Sequence, residues 1–157
     1  TKKGEDFKWG KEQAQAFQEL KQRLGNAEIL GYFDLTAKTI VITDASPVGL
    51  GAVLVQQQNK EERVICYASR TLTDIEKRYS QTEKEALGIV WACGRSHMYF
   101  HGTEFELRTD HKHLEFIYPK KSKPCARIER WVLQLQPCRF CVNHIAGKKT
   151  SQIVCHE

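Results

Sequence analysis

The sequence predicts an α/β (α+β) fold in which a mixed sheet of five strands is flanked by helices. Three runs rich in β-branched and apolar residues follow one another between residues 39 and 69, a pattern typical of an antiparallel meander. A long amphipathic stretch then leads to a fourth strand-like run, which indicates a crossover helix and a strand parallel to the sheet. The 157 residues are 41% hydrophobic and 27% charged, as expected for one globular domain.

The N-terminal region predicts one amphipathic helix. Within residues 10–24 the apolar residues recur at steps of three, three and four, as Ala14, Phe17, Leu20 and Leu24, which is one helical stripe. Gly25 and Asn26 form a stop signal. We interpret residues 1–34 as a linker or connection segment and residues 35–157 as the main domain.

The central hairpin places a carboxylate at the end of an apolar row. Residues 39–44 and 50–56 are strand-like, with a turn sequence between them. Side chains alternate along a strand, so Ile40, Ile42 and Asp44 share one face. A carboxylate in an apolar setting needs a proton, a cation or a metal ion, although Asp44 is also a favoured residue to begin the turn.

The crossover helix is predicted over residues 81–99, after a third strand at residues 63–69. Its start carries two overlapping capping-box patterns, Ser80 with Glu83 and Thr82 with Glu85, so the cap itself stays open. On a helical wheel the apolar residues centre near Glu83 and lie opposite Glu85, which predicts Glu83 inward and Glu85 outward. The alternative is that Glu83 only caps its own first turn.

The C-terminal half predicts a strand at residues 104–109, a short helix, a second helix at residues 126–135 and a last strand at residues 138–145. Asp110 follows the fourth strand, where an N-cap for the short helix is the alternative role. Asp44, Glu83 and Asp110 are thus expected at one end of the sheet. Such a set of oxygen ligands suits Mg²⁺ or Mn²⁺, and two such ions about 4 Å apart support phosphodiester cleavage.

The net charge, the cysteine spacing and the hydropathy of the chain limit which partners, metals and compartments are expected. The net charge of +5 and pI near 8.9 permit a polyanionic partner without requiring one. Among six cysteines only Cys138 and Cys141 have C-x-x-C spacing, and no second pair accompanies them, so we expect reduced, mostly buried thiols rather than a zinc site. No apolar run is long enough for a membrane span, and we expect a cytoplasmic or nuclear protein with no membrane partner.

Four sequence blocks carry a family resemblance: ITDASPVGLGAVLVQ, ICYASRTLTDIEKRYSQTEKEAL, HGTEFELRTDHKHLE and RWVLQLQPCRF. Together they resemble the ribonuclease H domain of Ty3/gypsy-class LTR-retrotransposon reverse transcriptases, over nearly the whole chain. The stretch FKWGKEQAQAFQELKQRL resembles the segment that joins the polymerase region to ribonuclease H, so the chain is similar to a piece of a longer Pol polyprotein.

The resemblance implies a ribonuclease H-like fold and metal-dependent endonucleolytic cleavage of the RNA strand of an RNA–DNA hybrid during reverse transcription. It implies Asp44, Glu83 and Asp110 as catalytic and metal-binding residues. The partners that it implies are the RNA–DNA hybrid and the reverse transcriptase polymerase region of the same polyprotein. Two Mg²⁺ (or Mn²⁺) ions are the implied cofactors, and a virus-like particle or the nucleus is the implied location.

Substrate contacts are expected from polar and basic side chains within or beside these blocks, because phosphates and 2′-hydroxyls identify a hybrid. The candidates are Ser46, Arg70, Lys112, Arg130 and, by analogy with a mobile histidine loop of the family, His144. An ordinary solvated or packing role is the alternative for each.

The sequence departs from the family at its C-terminal end. The family's fourth metal-binding aspartate follows a His-x-Pro-Gly turn, whereas no aspartate follows Asp110 here and the matching position is near Ile153. We expect weaker binding of the second ion, with reduced activity or a preference for Mn²⁺. The alternatives are a non-catalytic module of the same fold that binds hybrid or docks to a polymerase, and a fragment of a decayed element.

Overall fold

The structure, a computed structural model, describes residues 8–24, 30–100, 102–110 and 126–145. This part of the chain forms three α-helices and five strands. The helices are α1 (Lys11–Leu24), α2 (Gln81–Arg95) and α3 (Ala126–Leu135), and the strands are β1 (Lys38–Ala45), β2 (Gly49–Gln58), β3 (Glu61–Thr71), β4 (Phe105–Thr109) and β5 (Phe140–His144).

The five strands form one mixed sheet in the order β3-β2-β1-β4-β5. The pairs β1–β2 and β2–β3 are antiparallel, while β1–β4 and β4–β5 are parallel. The predicted meander and the predicted parallel crossover through α2 are therefore both confirmed. The β2–β3 turn places Asn59 and Lys60 at φ 52° and 68°, the positive values that a tight two-residue hairpin turn requires.

The main core lies between the sheet and α2. Val41, Leu54 and Leu107 on the sheet pack with Ile89 and Ala92 of the helix. The sheet presents a second apolar cluster on its other face, formed by Ile40, Ile42, Val55 and Val64 with Leu30 packed against it. Alternation along β1 thus divides its side chains between two faces, as predicted.

Small residues lie on the buried side of helix α2. Ala86, Gly88 and Ala92 are buried, and a Cβ added at Gly88 would lie 3.8 Å from Cδ2 of Leu50. The helix ends at Arg95 and a short 3₁₀ turn, His97–Tyr99, follows it, so the continuous helix predicted to residue 99 was too long.

Helix α1 forms where the periodicity predicted it, but none of its residues is buried against the described part of the chain. Its apolar stripe is open: Phe17 is 48% exposed, Leu20 58% and Leu24 42%. Trp9, 58% exposed, makes an edge-on ring contact with Phe17 at 5.7 Å between centroids. Among the described helices, none has the length and apolar character needed to cross a membrane.

The cysteines are less buried than the sequence suggested. Cys93 is buried in the core, Cys66 and Cys138 are half-buried, and Cys141 is exposed on the edge strand β5. Cys125 and Cys155 lie outside the described residues.

Candidate active site

Three carboxylates meet at one end of the sheet. Asp44 and Asp110 lie at the ends of β1 and β4, which are parallel neighbours, so their C-terminal ends adjoin. Glu85 comes from the second turn of α2. One carboxylate oxygen of each residue lies within 4.8 Å of the others. The prediction that Asp44 and Asp110 lie together at this end is confirmed.

The glutamate of this cluster is Glu85, whereas the sequence predicted Glu83, so the predicted orientation of the helix was wrong. Glu85 is 4% exposed. The apolar residues that defined the predicted buried side of the helix include Leu87 and Trp91, which are only half-buried. Small residues set the contact with the sheet instead, and they lie on the same side of α2 as Glu85. Gly88, one of these small residues, has no side chain and so does not count as apolar on a helical wheel.

Glu83 takes the alternative role that the sequence left open. Ser80 is the N-cap of α2, its side chain accepts a hydrogen bond from the Glu83 backbone N–H, and the Glu83 carboxylate accepts one from the Ser80 backbone N–H. The same carboxylate pairs with Arg127 of α3. Burial opposes ionisation of Glu83, but the hydrogen bonds from Ser80 and the charge of Arg127 lower its pKa. Glu83 thus joins the start of α2 to α3.

Burial, with a smaller contribution from the charges of Asp44 and Asp110, raises the pKa of Glu85 to about 7. A hydrogen bond from Gln81 opposes the shift: the Gln81 Nε2 lies 2.6 Å from Oε1 of Glu85 and 2.8 Å from the backbone oxygen of Ala45. Three carboxylates this close repel one another when ionised. The cluster therefore favours a bound proton or a cation.

The donor set fits a hard divalent cation. Mg²⁺ and Mn²⁺ prefer carboxylate oxygens, and the cluster supplies one from each of three residues. Asp44 and Asp110 are exposed while Glu85 is buried, so the cluster is open to solvent on the side of the two aspartates.

Two predicted substrate contacts are occupied by internal bonds. The Ser46 hydroxyl accepts hydrogen bonds from the backbone N–H groups of Val48 and Gly49, which stabilises the β1–β2 turn. Arg70 forms two hydrogen bonds of 2.8 Å with the Glu76 carboxylate. Hydrogen bonding by Arg70 lowers the pKa of Glu76 to about 2. The polar groups of Ser46 and Arg70 are therefore used in bonds within the domain.

His144 ends β5 beside the cluster, where its Nε2 lies 2.9 Å from the backbone oxygen of Asp110. Arg130 is exposed on α3 and its Nε donates to the backbone oxygen of Ala126, one turn earlier. Lys112 lies outside the described residues, as does the region of Ile153. Among the predicted substrate residues that the structure describes, His144 thus contacts the backbone of an acidic residue of the site.

Sequence reasoning missed Glu85 and Gln81. The available signal was the series Glu85, Ile89, Ala92 and Ser96, which steps by four, three and four and is buried throughout. This stripe contains few large side chains, so an average over hydrophobic residues does not register it.

Comparison with known proteins identifies the family of this chain. Residues 9–107 match the family described as RNase H-like domain found in reverse transcriptase. The Pol polyprotein of transposon 412 from Drosophila melanogaster is 35% identical over 147 residues, or 94% of this chain and 12% of the relative. That of transposon 297 from the same organism is 39% identical over 140 residues, or 89% and 13%. The Tf2-3 polyprotein of Schizosaccharomyces pombe is 33% identical over 150 residues, or 93% and 11%.

The chain thus spans about one eighth of the length of these relatives.

Solved structures of other proteins share the fold, and two of them illustrate this. A foamy viral protease-reverse transcriptase in complex with double-stranded DNA has a TM-score of 0.69 at 19% identity, covering 92% of this chain and 28% of that one. RNase H1 from Halobacterium salinarum has a TM-score of 0.56 at 11% identity, covering 73% and 89%. The chain belongs to the RNase H-like domains of reverse transcriptases, among the Pol polyproteins of Ty3/gypsy-type transposons.

Proposed function

We propose that this domain hydrolyses the RNA strand of RNA–DNA hybrids, with Asp44, Glu85 and Asp110 as the catalytic and metal-binding residues. The observation that carries the proposal is the convergence of these three carboxylates within 4.8 Å. Glu85 replaces the Glu83 expected from the sequence because only Glu85 faces the aspartates. Family membership supports the reaction class.

In this proposal the carboxylates hold divalent cations, Mg²⁺ or Mn²⁺. Bound there, such cations supply an activated water and stabilise the leaving oxygen of the phosphodiester. Glu85 contributes a fixed, buried oxygen, because its side chain is held by Gln81. The exposed aspartates Asp44 and Asp110 face the side from which a phosphate backbone approaches.

Hybrid binding would use the basic character of the chain, whose net charge is +5. Cationic side chains neutralise phosphates, and 2′-hydroxyls distinguish the RNA strand. Arg130 and His144 are exposed and remain candidates. Ser46 and Arg70 would contact the hybrid only if their internal bonds were exchanged for bonds to substrate.

The exposed stripe of α1 favours a second role alongside catalysis, docking to the polymerase region of the same polyprotein. Six of the eleven large hydrophobic residues that are exposed in the described part of the chain lie within residues 9–35. The relatives are about eight times longer than this chain, so they have further sequence to cover such a surface. Apolar surface of this kind is typical of protein interfaces.

The experiment is cleavage of a labelled RNA–DNA hybrid with Mg²⁺ or Mn²⁺. We expect cleavage by the unmodified chain and a loss of at least about a hundredfold in Asp44→Asn and Glu85→Gln, because each removes a charged oxygen from the cluster. Glu83→Gln, in the preceding turn of the same helix, is the matched control and should retain cleavage after correction for its folded fraction. Hybrid binding without cleavage in the unmodified chain would favour the non-catalytic docking module instead.

A further inference from the structure

Gln81 makes two hydrogen bonds with one amide group. Its Nε2 donates to the backbone oxygen of Ala45 at 2.8 Å and to the Oε1 of Glu85 at 2.6 Å. Both partners are acceptors, so the amide nitrogen must face them, since an amide oxygen in the same place would meet two other oxygens. The two N–H groups of the amide are therefore both used.

These two bonds join the elements that carry two of the clustered carboxylates. Ala45 directly follows Asp44 on β1, and Glu85 lies one helical turn after Gln81 on α2. The spacing of four residues along a helix places Gln81 and Glu85 on the same face. The amide thus spans the gap between the end of β1 and the start of α2.

The Glu85 carboxylate needs such a donor to stay in place. Its nearest acidic neighbours, Asp44 and Asp110, repel it when all three are ionised, and its side chain is buried. Repulsion would turn the carboxylate away from the aspartates. A neutral donor holds it there without adding a positive charge that would compete with a cation.

We propose that Gln81 is a positioning residue that holds the Glu85 carboxylate in the orientation needed for divalent-cation binding. This inference rests on the proposed function, because it assumes that the cluster binds a cation. It assigns to Gln81 no contact with substrate or with the cation.

The test is Mn²⁺ binding to the whole chain, with free Mn²⁺ measured by electron paramagnetic resonance. Gln81→Met keeps the length of the side chain but has no donor, and Gln81→Ala removes both length and donor. We expect each to raise the Mn²⁺ Kd about tenfold to a hundredfold, the range found when groups that orient metal ligands are removed. Thermal unfolding verifies that each variant is folded.

Ser80→Ala is the control for a general loosening of the helix start. Ser80 caps α2 but makes no bond to Glu85 in the described contacts, so its loss should lower stability and leave the Mn²⁺ Kd within about twofold. A weaker Kd in Ser80→Ala equal to that in Gln81→Met would overturn the positioning role.

The remaining outcomes separate the inference from the proposed function. Unchanged Mn²⁺ binding in Gln81→Met, with binding lost in Glu85→Gln, would overturn the role of Gln81 and leave the metal site standing. Loss in Gln81→Ala without loss in Gln81→Met would assign the effect to packing and also overturn it. If the unmodified chain binds no Mn²⁺, the metal site itself fails, and the inference falls with it.

Discussion

Replacing Glu85 by glutamine should stabilise the metal-free domain at alkaline pH. Burial and the neighbouring aspartates raise the pKa of Glu85 from 4.5 to about 7. Each pKa unit corresponds to about 1.4 kcal/mol, so ionised Glu85 should cost the folded state about 3 kcal/mol. Glutamine keeps the shape of the side chain and removes this charge.

The sign follows from proton binding. Between pH 4.5 and about 7 the unfolded chain has lost the Glu85 proton while the folded domain retains it. The free energy of unfolding should therefore fall as pH rises through this window and level off above it. In Glu85→Gln this part of the pH dependence should disappear.

Urea unfolding in the presence of a chelator, at pH 5 and pH 8, measures the effect. We expect Glu85→Gln to gain stability relative to the unmodified chain as pH rises. Between pH 5 and pH 8 the difference in their free energies of unfolding should grow by about 2.5 kcal/mol, because part of the effect is already present at pH 5. Glu83→Gln is the matched control. The pKa of Glu83 is lowered, so Glu83 stabilises the fold above its unfolded pKa and its replacement should destabilise at both pH values. A Glu85→Gln difference that does not change with pH would refute the reasoning.

Four further results are expected. Glu106→Gln should lower the free energy of unfolding at pH 7 by about 3 kcal/mol, because the Glu106 carboxylate, 6% exposed, pairs with Lys38 and Arg108; an effect below about 1 kcal/mol in urea unfolding would contradict this. Arg70→Met should lower it by about 2 kcal/mol through loss of the paired bonds to Glu76, and a fall in hybrid affinity without any fall in stability would show a substrate contact instead. Ile153→Asp should lower the Mg²⁺ concentration needed for half-maximal cleavage several-fold. An unchanged Mg²⁺ concentration would count against the hypothesis that the absent fourth aspartate weakens binding of the second ion. Phe17→Ser should change stability by less than about 0.5 kcal/mol yet weaken capture of a separately expressed polymerase region, and equal capture by both chains would argue against docking through α1.

The secondary structure followed closely from the sequence because its signals are local. Alternation over residues 39–44 and 50–56 predicted β1 and β2, and the spacing over residues 126–135 predicted α3 with the bounds observed. The topology also followed, since three strands joined by short connections favour a meander and a helical crossover favours a parallel pair. These features placed Asp44 and Asp110 at adjoining strand ends.

The functions of individual polar side chains did not follow in the same way. Arg70 and Ser46 were reasonable substrate contacts by sequence position, but their partners Glu76 and Gly49 are fixed by the conformation of the loops. A sequence shows which groups need partners and does not show which partner comes within 3 Å. The division of the chain near residue 34 stays a prediction, although Gly31 donates to the backbone oxygen of Val64 in β3.

By itself, the sequence determined the α/β class, the order of the strands along the chain and the gathering of acidic residues at one end of the sheet, because hydrophobic periodicity and strand connections depend on neighbouring residues. Only the tertiary structure decided between Glu83 and Glu85. That choice depends on the rotation of α2 about its axis, which buries the side of the helix that carries Ala86, Gly88 and Ala92. Because this side of α2, rather than the side with the largest apolar residues, is the most buried, Glu85 lies with the aspartates and Glu83 caps the helix.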